Sequence, residues 1–222
     1  NFIYFKNIFF QSMPITISIC GYALAAAIIF TYVGQSGEYA VAGYGVGTRI
    51  EQVVLLPILG INTAIISIIA QNYGAKNFDR IKKTYFTAIK YAFIIMITSG
   101  IIVFISAGII TSIFSSDPEV IEYGKRYLKI SAFVLPAYPV FFLSNGFFMA
   151  LKKSEYAMIS NFFRNVLNPI IVFYLARHYD ASFETFFWIW VLINWFFSIS
   201  YLLFVIFYFN NKLNKASAIV HP

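Results

Sequence analysis

Residues 39–73 have the sequence YAVAGYGVGTRIEQVVLLPILGINTAIISIIAQNY, in which only Arg49 and Glu51 carry a charge. A helix needs about 20 apolar residues to cross the roughly 30 Å hydrocarbon core of a bilayer. This stretch is longer than one straight crossing requires and contains Pro57, so we expect it to tilt or kink. It is too long for a strand and lacks the residue alternation of a membrane β-barrel.

Similar apolar segments fill the rest of the 222-residue chain. Unsatisfied backbone groups cost several kcal/mol each in lipid, so continuous helices are expected for all of them. The sequence therefore predicts an all-α polytopic membrane protein, with further kinks at Pro136 and Pro139. The six predicted transmembrane helices span residues 8–33, 39–73, 88–114, 123–151, 156–175 and 183–209.

The composition excludes several classes of protein. Apolar residues make up 60% of the chain and charged residues only 11%, whereas a soluble domain has about 45–50% and about 25%. This argues against a soluble enzyme and against disorder. Cys20, His178 and His221 each stand alone in the sequence, so we predict no catalytic residue, metal site or cofactor.

The net charge of +7 comes from basic residues that lie mostly between the apolar segments. This placement is typical of the positive-inside bias of membrane proteins and not of a nucleic-acid-binding surface. Six crossings put both termini on one side, and that side carries Lys6, Lys76, Arg80, Lys82, Lys83, Lys90, Lys152, Lys153, Lys212 and Lys215. The other side carries Lys125, Arg126, Lys129 and Arg177. We therefore expect a multi-pass plasma-membrane protein with both termini in the cytoplasm.

The second segment contains polar side chains that lipid does not tolerate without a partner. A charge at membrane depth costs at least about 2.5–3.5 kcal/mol. At 100° per residue, one arc of about 100° holds Arg49, Gln52, Thr63, Ser67 and Gln71, whereas Glu51 and Asn62 point elsewhere. These residues either line a polar pathway or hold helices together near the outer interface.

The fifth segment carries a polar stripe, because Asn161, Arg164, Asn165 and Asn168 follow the i, i+3, i+4, i+7 spacing of one helix face. Asn145 and Asn194 add polar groups to the fourth and sixth segments. Such faces turn toward protein or water. We expect them to form either a substrate cavity or a ladder of interhelical hydrogen bonds.

Small residues at a spacing of four allow a neighbouring helix to approach closely. Two such pairs occur in the second segment, Gly43 with Gly47 and Gly60 with Ala64. Both pairs are predicted to lie at helix contacts.

Three motifs of the second segment and its following loop belong together: AGYGVGTRIEQ at residues 42–52, LPILGINTA at 56–64 and QNYGAK at 71–76, with Asp79 and Arg80 beyond. They resemble the signature of the multidrug and toxic compound extrusion (MATE) transporters. The GFFMAL run at residues 146–151 and the stretch from Asn161 to Pro169 are also similar to that family. The resemblance extends over nearly the whole chain.

The resemblance implies one lobe of a twelve-helix transporter, since the spacing matches helices seven to twelve. The chain is then expected to begin partway through a longer protein and to work with an N-terminal six-helix lobe. The family implies a cation-coupled antiporter that exports organic, often cationic compounds by alternating access. The coupling ion is expected to be H⁺ or Na⁺, and the partners are small organic substrates and membrane lipid.

The sequence departs from many family members at two positions. Where they carry a Glu in the seventh helix, after a proline matching Pro14, this chain has Gly21 to Ala23, without an acid. Where they carry an Asp in the tenth helix, this chain has an uncharged residue near Phe141. Glu51 is the carboxylate left inside an apolar segment, which makes it the candidate coupling residue. Two alternatives stay open: a lipid or lipid-linked saccharide flippase lobe, which intramembrane Arg49 and Arg164 also fit, and a fragment that does not transport.

Overall fold

The computed structural model describes residues 20–213, and this part of the chain consists of helices joined by short loops, without a strand. Short 3₁₀ turns lie at Gly34–Ser36 and Leu135–Ala137, and π turns lie at Phe163–Leu167 and Phe209–Leu213. In chain order the helices are α1 (Cys20–Ser36), α2 (Glu38–Val54), α3 (Leu56–Gly74), α4 (Phe78–Phe114), α5 (Pro118–Ser131), α6 (Tyr138–Ala150), α7 (Ser154–Phe162), α8 (Asn168–His178) and α9 (Phe183–Tyr208).

Four helical stretches are long and apolar enough to cross a membrane: Glu38–Gly74, Phe78–Phe114, Pro118–Ala150 and Phe183–Asn211. Three of the predicted segments lie within these stretches and a fourth, 123–151, ends one residue beyond its stretch. The all-α membrane fold class is confirmed. The segment at 156–175 is also helical, as α7 and α8, but its Asn and Arg side chains lower its mean hydropathy. Of the first segment, α1 covers the described part, while residues 8–19, Lys6 and Lys215 lie outside the described residues.

Two of the membrane crossings are broken near their middle, each beside a proline. Between α2 and α3 the helix is interrupted at Leu55, because Pro57 has no N–H to offer the carbonyl of Val53. Between α5 and α6 the chain passes through the 3₁₀ turn that contains Pro136, and Pro139 is the second residue of α6. Since α2 packs on α5 and α3 packs on α6, the two breaks lie side by side.

Two side chains of helix α9 donate hydrogen bonds to carbonyl groups at the second break. The indole Nε1 of Trp195 donates to the carbonyl of Phe133 at 2.9 Å, and the hydroxyl of Ser198 donates to the carbonyl of Ala137 at 3.3 Å. An unpaired carbonyl in the hydrocarbon layer costs several kcal/mol, so these two side chains stabilise the irregular backbone.

Glycines set how closely the paired helices approach. A Cβ at Gly43 would lie 2.7 Å from the backbone nitrogen of Gly124, and one at Gly47 would lie 2.3 Å from the Tyr127 ring. The predicted close contact at Gly43 and Gly47 is therefore found, between α2 and α5. The predicted contact at Gly60 is not, since no atom lies within 4 Å of a Cβ placed there and the neighbouring Ala64 is exposed.

Candidate functional site

A chamber of about 160 Å³ lies beside the two helix breaks. Its walls come from α1, α2, α5, the start of α6, the π turn and α9. Its polar lining consists of Tyr22, Tyr44, Thr48, Glu51, Gln52, Tyr127, Tyr138, Arg164 and Asn165. Glu51 is the single acid among the residues that line it.

Glu51 accepts a hydrogen bond at each carboxylate oxygen. The Tyr127 hydroxyl from α5 donates to Oε2, and the Tyr138 hydroxyl from the first residue of α6 donates to Oε1. Within the described part of the chain Glu51 forms no ion pair. The carboxylate is thus held by neutral donors from the two halves of a broken crossing.

Tyr127 is held in place by its aromatic neighbours. Its ring meets the Tyr44 ring edge-on at 5.0 Å and the Phe187 ring edge-on at 4.8 Å. Tyr44 in turn stacks on Phe187 with centroids 5.5 Å apart. These contacts fix the direction of the Tyr127 hydroxyl. They thereby also position the Glu51 carboxylate, which accepts its hydrogen bond.

Arg164 lies over the ring of Tyr138 and lines the same chamber as Glu51. Its guanidinium carbon is 4.2 Å from the centroid of the Phe141 ring, 4.8 Å from that of Tyr138 and 5.4 Å from that of Phe142. Tyr138 therefore offers its hydroxyl to Glu51 and a face of its ring to Arg164. Among the described residues, the Arg164 side chain makes no ion pair, and its recorded contacts are with these rings.

A π turn breaks the stripe predicted for the fifth segment. The backbone N–H of Asn168 bonds to the carbonyl of Phe163, five residues earlier, just before Pro169. The extra residue rotates the helix, so the predicted single face divides. Arg164 and Asn165 line the chamber, whereas Asn168 is completely buried. Neither of its side-chain polar atoms has a hydrogen-bond partner among residues 20–213.

The other predicted polar residues lie away from the chamber, with the exception of Gln52. Asn145 donates to Asn161 at 3.5 Å and accepts from the Tyr201 hydroxyl at 3.0 Å, which forms a second polar cluster between α6, α7 and α9. Asn194 is buried and donates to the carbonyl of Trp190, one turn earlier, at 2.9 Å. Arg49 is exposed.

Sequence reasoning missed both partners of Glu51. Tyr127 and Tyr138 are two of 16 tyrosines, and neither belongs to a polar stripe. Only the packing of α2 against α5, and of the two breaks against each other, brings their hydroxyls to one carboxylate. Within residues 20–213 no cluster of three or more His, Cys, Asp or Glu side chains is arranged to hold a metal ion.

Comparison with solved structures shows the same fold in known transporters. One is an outward-facing multidrug resistance MATE family transporter of the MOP superfamily, with a TM-score of 0.83 and 22% identity over 91% of this chain. Another is a MOP superfamily transporter from Pyrococcus furiosus whose binding pocket has reverse polarity, with a TM-score of 0.82 and 21% identity. The match covers 46% of the first structure and 45% of the second, so the chain spans about half the length of these proteins.

Comparison of sequences points to the same family. A FAD transporter from Shewanella oneidensis is 31% identical over 107 residues, which are 48% of this chain and 24% of that protein. The probable multidrug resistance protein YpnP from Bacillus subtilis is 32% identical over 133 residues, which are 60% of this chain and 30% of that protein. The MatE family model matches residues 14–174. This integral membrane protein therefore belongs to the multidrug and toxic compound extrusion (MATE) family.

Proposed function

We propose that the chain forms one six-helix lobe of a cation-coupled antiporter, and that Glu51 binds the coupling ion, H⁺ or Na⁺. The substrates are organic, often cationic compounds that leave the cell by alternating access. The observation that carries this proposal is the position of Glu51, as the single acid lining a polar chamber among membrane helices.

The chemistry of the chamber supports ion binding at Glu51. A charged carboxylate at membrane depth is unfavourable, and a bound proton or Na⁺ removes most of that cost. Oxygen atoms are the ligands that hard cations prefer. Besides Glu51, the chamber offers oxygens from Thr48 and Gln52, next to the tyrosine hydroxyls of Tyr127 and Tyr138.

The outer surface of the lobe supports a second, N-terminal lobe as its partner. The five polar residues predicted on one arc of the second segment are all exposed: Arg49, Gln52, Thr63, Ser67 and Gln71. A polar stripe on membrane-spanning helices faces protein or water in preference to lipid. We place this stripe toward the cleft between two lobes, where substrate passes.

The distribution of basic residues supports a location in the plasma membrane with both termini in the cytoplasm. The loop before α4 contains Lys76 and carries Arg80, Lys82 and Lys83 at the beginning of the helix. Basic loops of this kind stay on the cytoplasmic side.

A transport assay in liposomes tests the proposed function. The complete transporter, in which this chain is joined by its N-terminal lobe, is reconstituted, ethidium is loaded, and a proton or Na⁺ gradient is imposed in separate experiments. We expect gradient-dependent efflux with one of the two ions. Efflux that is the same with and without either gradient contradicts coupling.

A flippase lobe is the second candidate, favoured by the guanidinium of Arg164 in the chamber, which forms no ion pair within the described ranges. A flippase would scramble a lipid-linked sugar in the same liposomes without an ion gradient, and this outcome would replace the antiporter proposal. Absence of both activities when the chain is reconstituted without a second lobe would identify it as a fragment that does not transport on its own.

A further inference from the structure

A second cavity, which we call the α7–α9 groove, lies on the other side of Arg164. It has a volume of about 440 Å³ and is lined by α6, α7, the π turn and α9. Aromatic rings dominate its walls, including those of Phe141, Tyr156, Phe163, Phe197 and Phe204. The rim residue Phe196 is 67% exposed, so the groove opens at the surface of the lobe.

Arg164 is the single charged residue among those that line this groove. Its side chain also lines the Glu51 chamber, so one guanidinium borders both cavities. Aromatic faces attract this cation but do not neutralise it. Among the described residues Arg164 forms no ion pair, and the acid that shares a cavity with it, Glu51, lines the chamber and not the groove. A charge at membrane depth is costly, and the groove therefore favours a ligand that brings a negative charge to the Arg164 side chain.

The depth of Arg164 limits which anions reach it. It lies ten residues after the beginning of α7 at Ser154, which is about 15 Å along a helix at 1.5 Å per residue. The phosphate of a phospholipid stays at the bilayer surface, too far from this position for contact. A compact organic acid with an apolar body can carry its charge to this depth.

We propose that the α7–α9 groove binds an amphipathic aromatic anion, with its ring system between the aromatic walls and its acidic group on Arg164. Ser160, Ser200 and Tyr201 also line the groove and offer hydroxyl groups to the polar part of the ligand. Offset and edge-on ring contacts add to the burial of apolar area. The groove thereby selects against cations of the same shape.

Binding in the groove does not depend on the proposed function. Export of the bound anion rests on that function, because such anions would then be a second class of substrate for the same lobe. A ligand in the groove is separated from the Glu51 chamber by the Arg164 side chain and the Tyr138 ring beneath it. Arg164 therefore borders both the anion bound in the groove and the chamber that contains Glu51.

Photo-cross-linking tests the groove without any transport step. The full chain in nanodiscs is irradiated with 4-benzoylbenzoate, or with the cation (4-benzoylbenzyl)trimethylammonium, which has the same ring system. We expect the anion to label α7 and α9 at least tenfold more strongly than the cation. Arg164→Gln should reduce labelling by the anion at least tenfold, and Arg164→Lys should retain most of it. Equal labelling by the two probes, or labelling that Arg164→Gln leaves unchanged, would overturn the proposal.

A second pair of variants keeps Arg164 intact. Ser200→Trp fills the groove from α9, whereas Ile199→Trp changes the adjacent residue, which is 52% exposed and does not line the groove. We expect labelling to be lost in Ser200→Trp and kept in Ile199→Trp. Loss of labelling in both variants, or in neither, refutes the assignment. A chain that is labelled in this way but shows no gradient-driven efflux would refute the proposed function and leave the groove assignment standing.

Discussion

Gly47 makes room for Tyr127, since a Cβ at Gly47 would lie 2.3 Å from Cδ1 of that ring. One helical turn further along α2, Glu51 accepts the hydrogen bond from the Tyr127 hydroxyl. The absence of a side chain at one position thus allows the ring of the neighbouring helix to reach the carboxylate. The contact between α2 and α5 and the geometry of the Glu51 chamber depend on the same glycine.

Gly47→Ala should displace the Tyr127 ring and weaken its hydrogen bond to Glu51. Overpacking of a tight contact typically costs about 1–3 kcal/mol, so we expect a lower midpoint of thermal unfolding together with impaired coupling. Gly45→Ala is the control, because no atom lies within 4 Å of a Cβ placed there. Equal unfolding temperatures for the two variants would show that α5 can move aside without cost.

Tyr138→Phe separates the two roles of that residue. The variant loses the hydroxyl that donates to Glu51 but keeps the ring beneath Arg164. A hydrogen bond to a charged group contributes about 1.5–3 kcal/mol. We expect ion coupling to fall while anion labelling of the α7–α9 groove persists. In Tyr138→Leu both should fall, and a Phe variant with normal coupling would remove Tyr138 from the ion site.

Gly146→Ala should disturb the contact between α3 and α6. A Cβ at Gly146 would lie 2.1 Å from Oδ1 of Asn62, a buried atom without a hydrogen-bond partner in the described part of the chain. We expect the thermal unfolding midpoint to fall, with a cost of about 1–3 kcal/mol. Gly60→Ala, on the exposed side of α3, serves as the comparison and should unfold like the wild type. A stable Gly146→Ala variant would mean that Asn62 readily changes rotamer.

Asn168→Leu should not destabilise the protein, although the residue is completely buried. Neither polar atom of its side chain has a hydrogen-bond partner in the part of the chain that the structure describes, and burial of an unsatisfied amide costs about 1–3 kcal/mol. The leucine variant should therefore unfold at or above the wild-type temperature. Asn194→Leu, which loses a hydrogen bond to the Trp190 carbonyl, should unfold at a lower temperature. A lower midpoint for Asn168→Leu would indicate a water or ion that Asn168 binds.

The sequence predicts those parts of the structure that depend on local chemistry. Apolar segment length predicts the membrane helices, and the missing N–H of Pro57 explains the break at Leu55. The spacing of Gly43 and Gly47 predicts the close approach of another helix, although it does not identify α5 as that helix. At these positions the side chain, or its absence, acts on the adjacent backbone. Its effect can therefore be predicted from the sequence of a single segment.

The chamber depends on contacts between distant segments, which periodicity does not reveal. Tyr127 and Tyr138 are separated from Glu51 by 76 and 87 residues, and no local feature marks them as its donors. The π turn at Phe163–Leu167 was also not predicted, because a regular helix gives the same i, i+3, i+4, i+7 stripe. It turns Asn168 away from the face that Arg164 and Asn165 share.

The most direct test of the account measures gradient-driven ethidium efflux for Glu51→Gln against Glu38→Gln. Glutamine preserves the shape of the side chain and removes its charge, and Glu38 is an exposed acid in the first turn of the same helix. We expect Glu38→Gln to transport like the wild type, and Glu51→Gln to fold normally but to lose the dependence of efflux on the ion gradient. If Glu51→Gln keeps that dependence, Glu51 does not bind the coupling ion and the central claim is wrong.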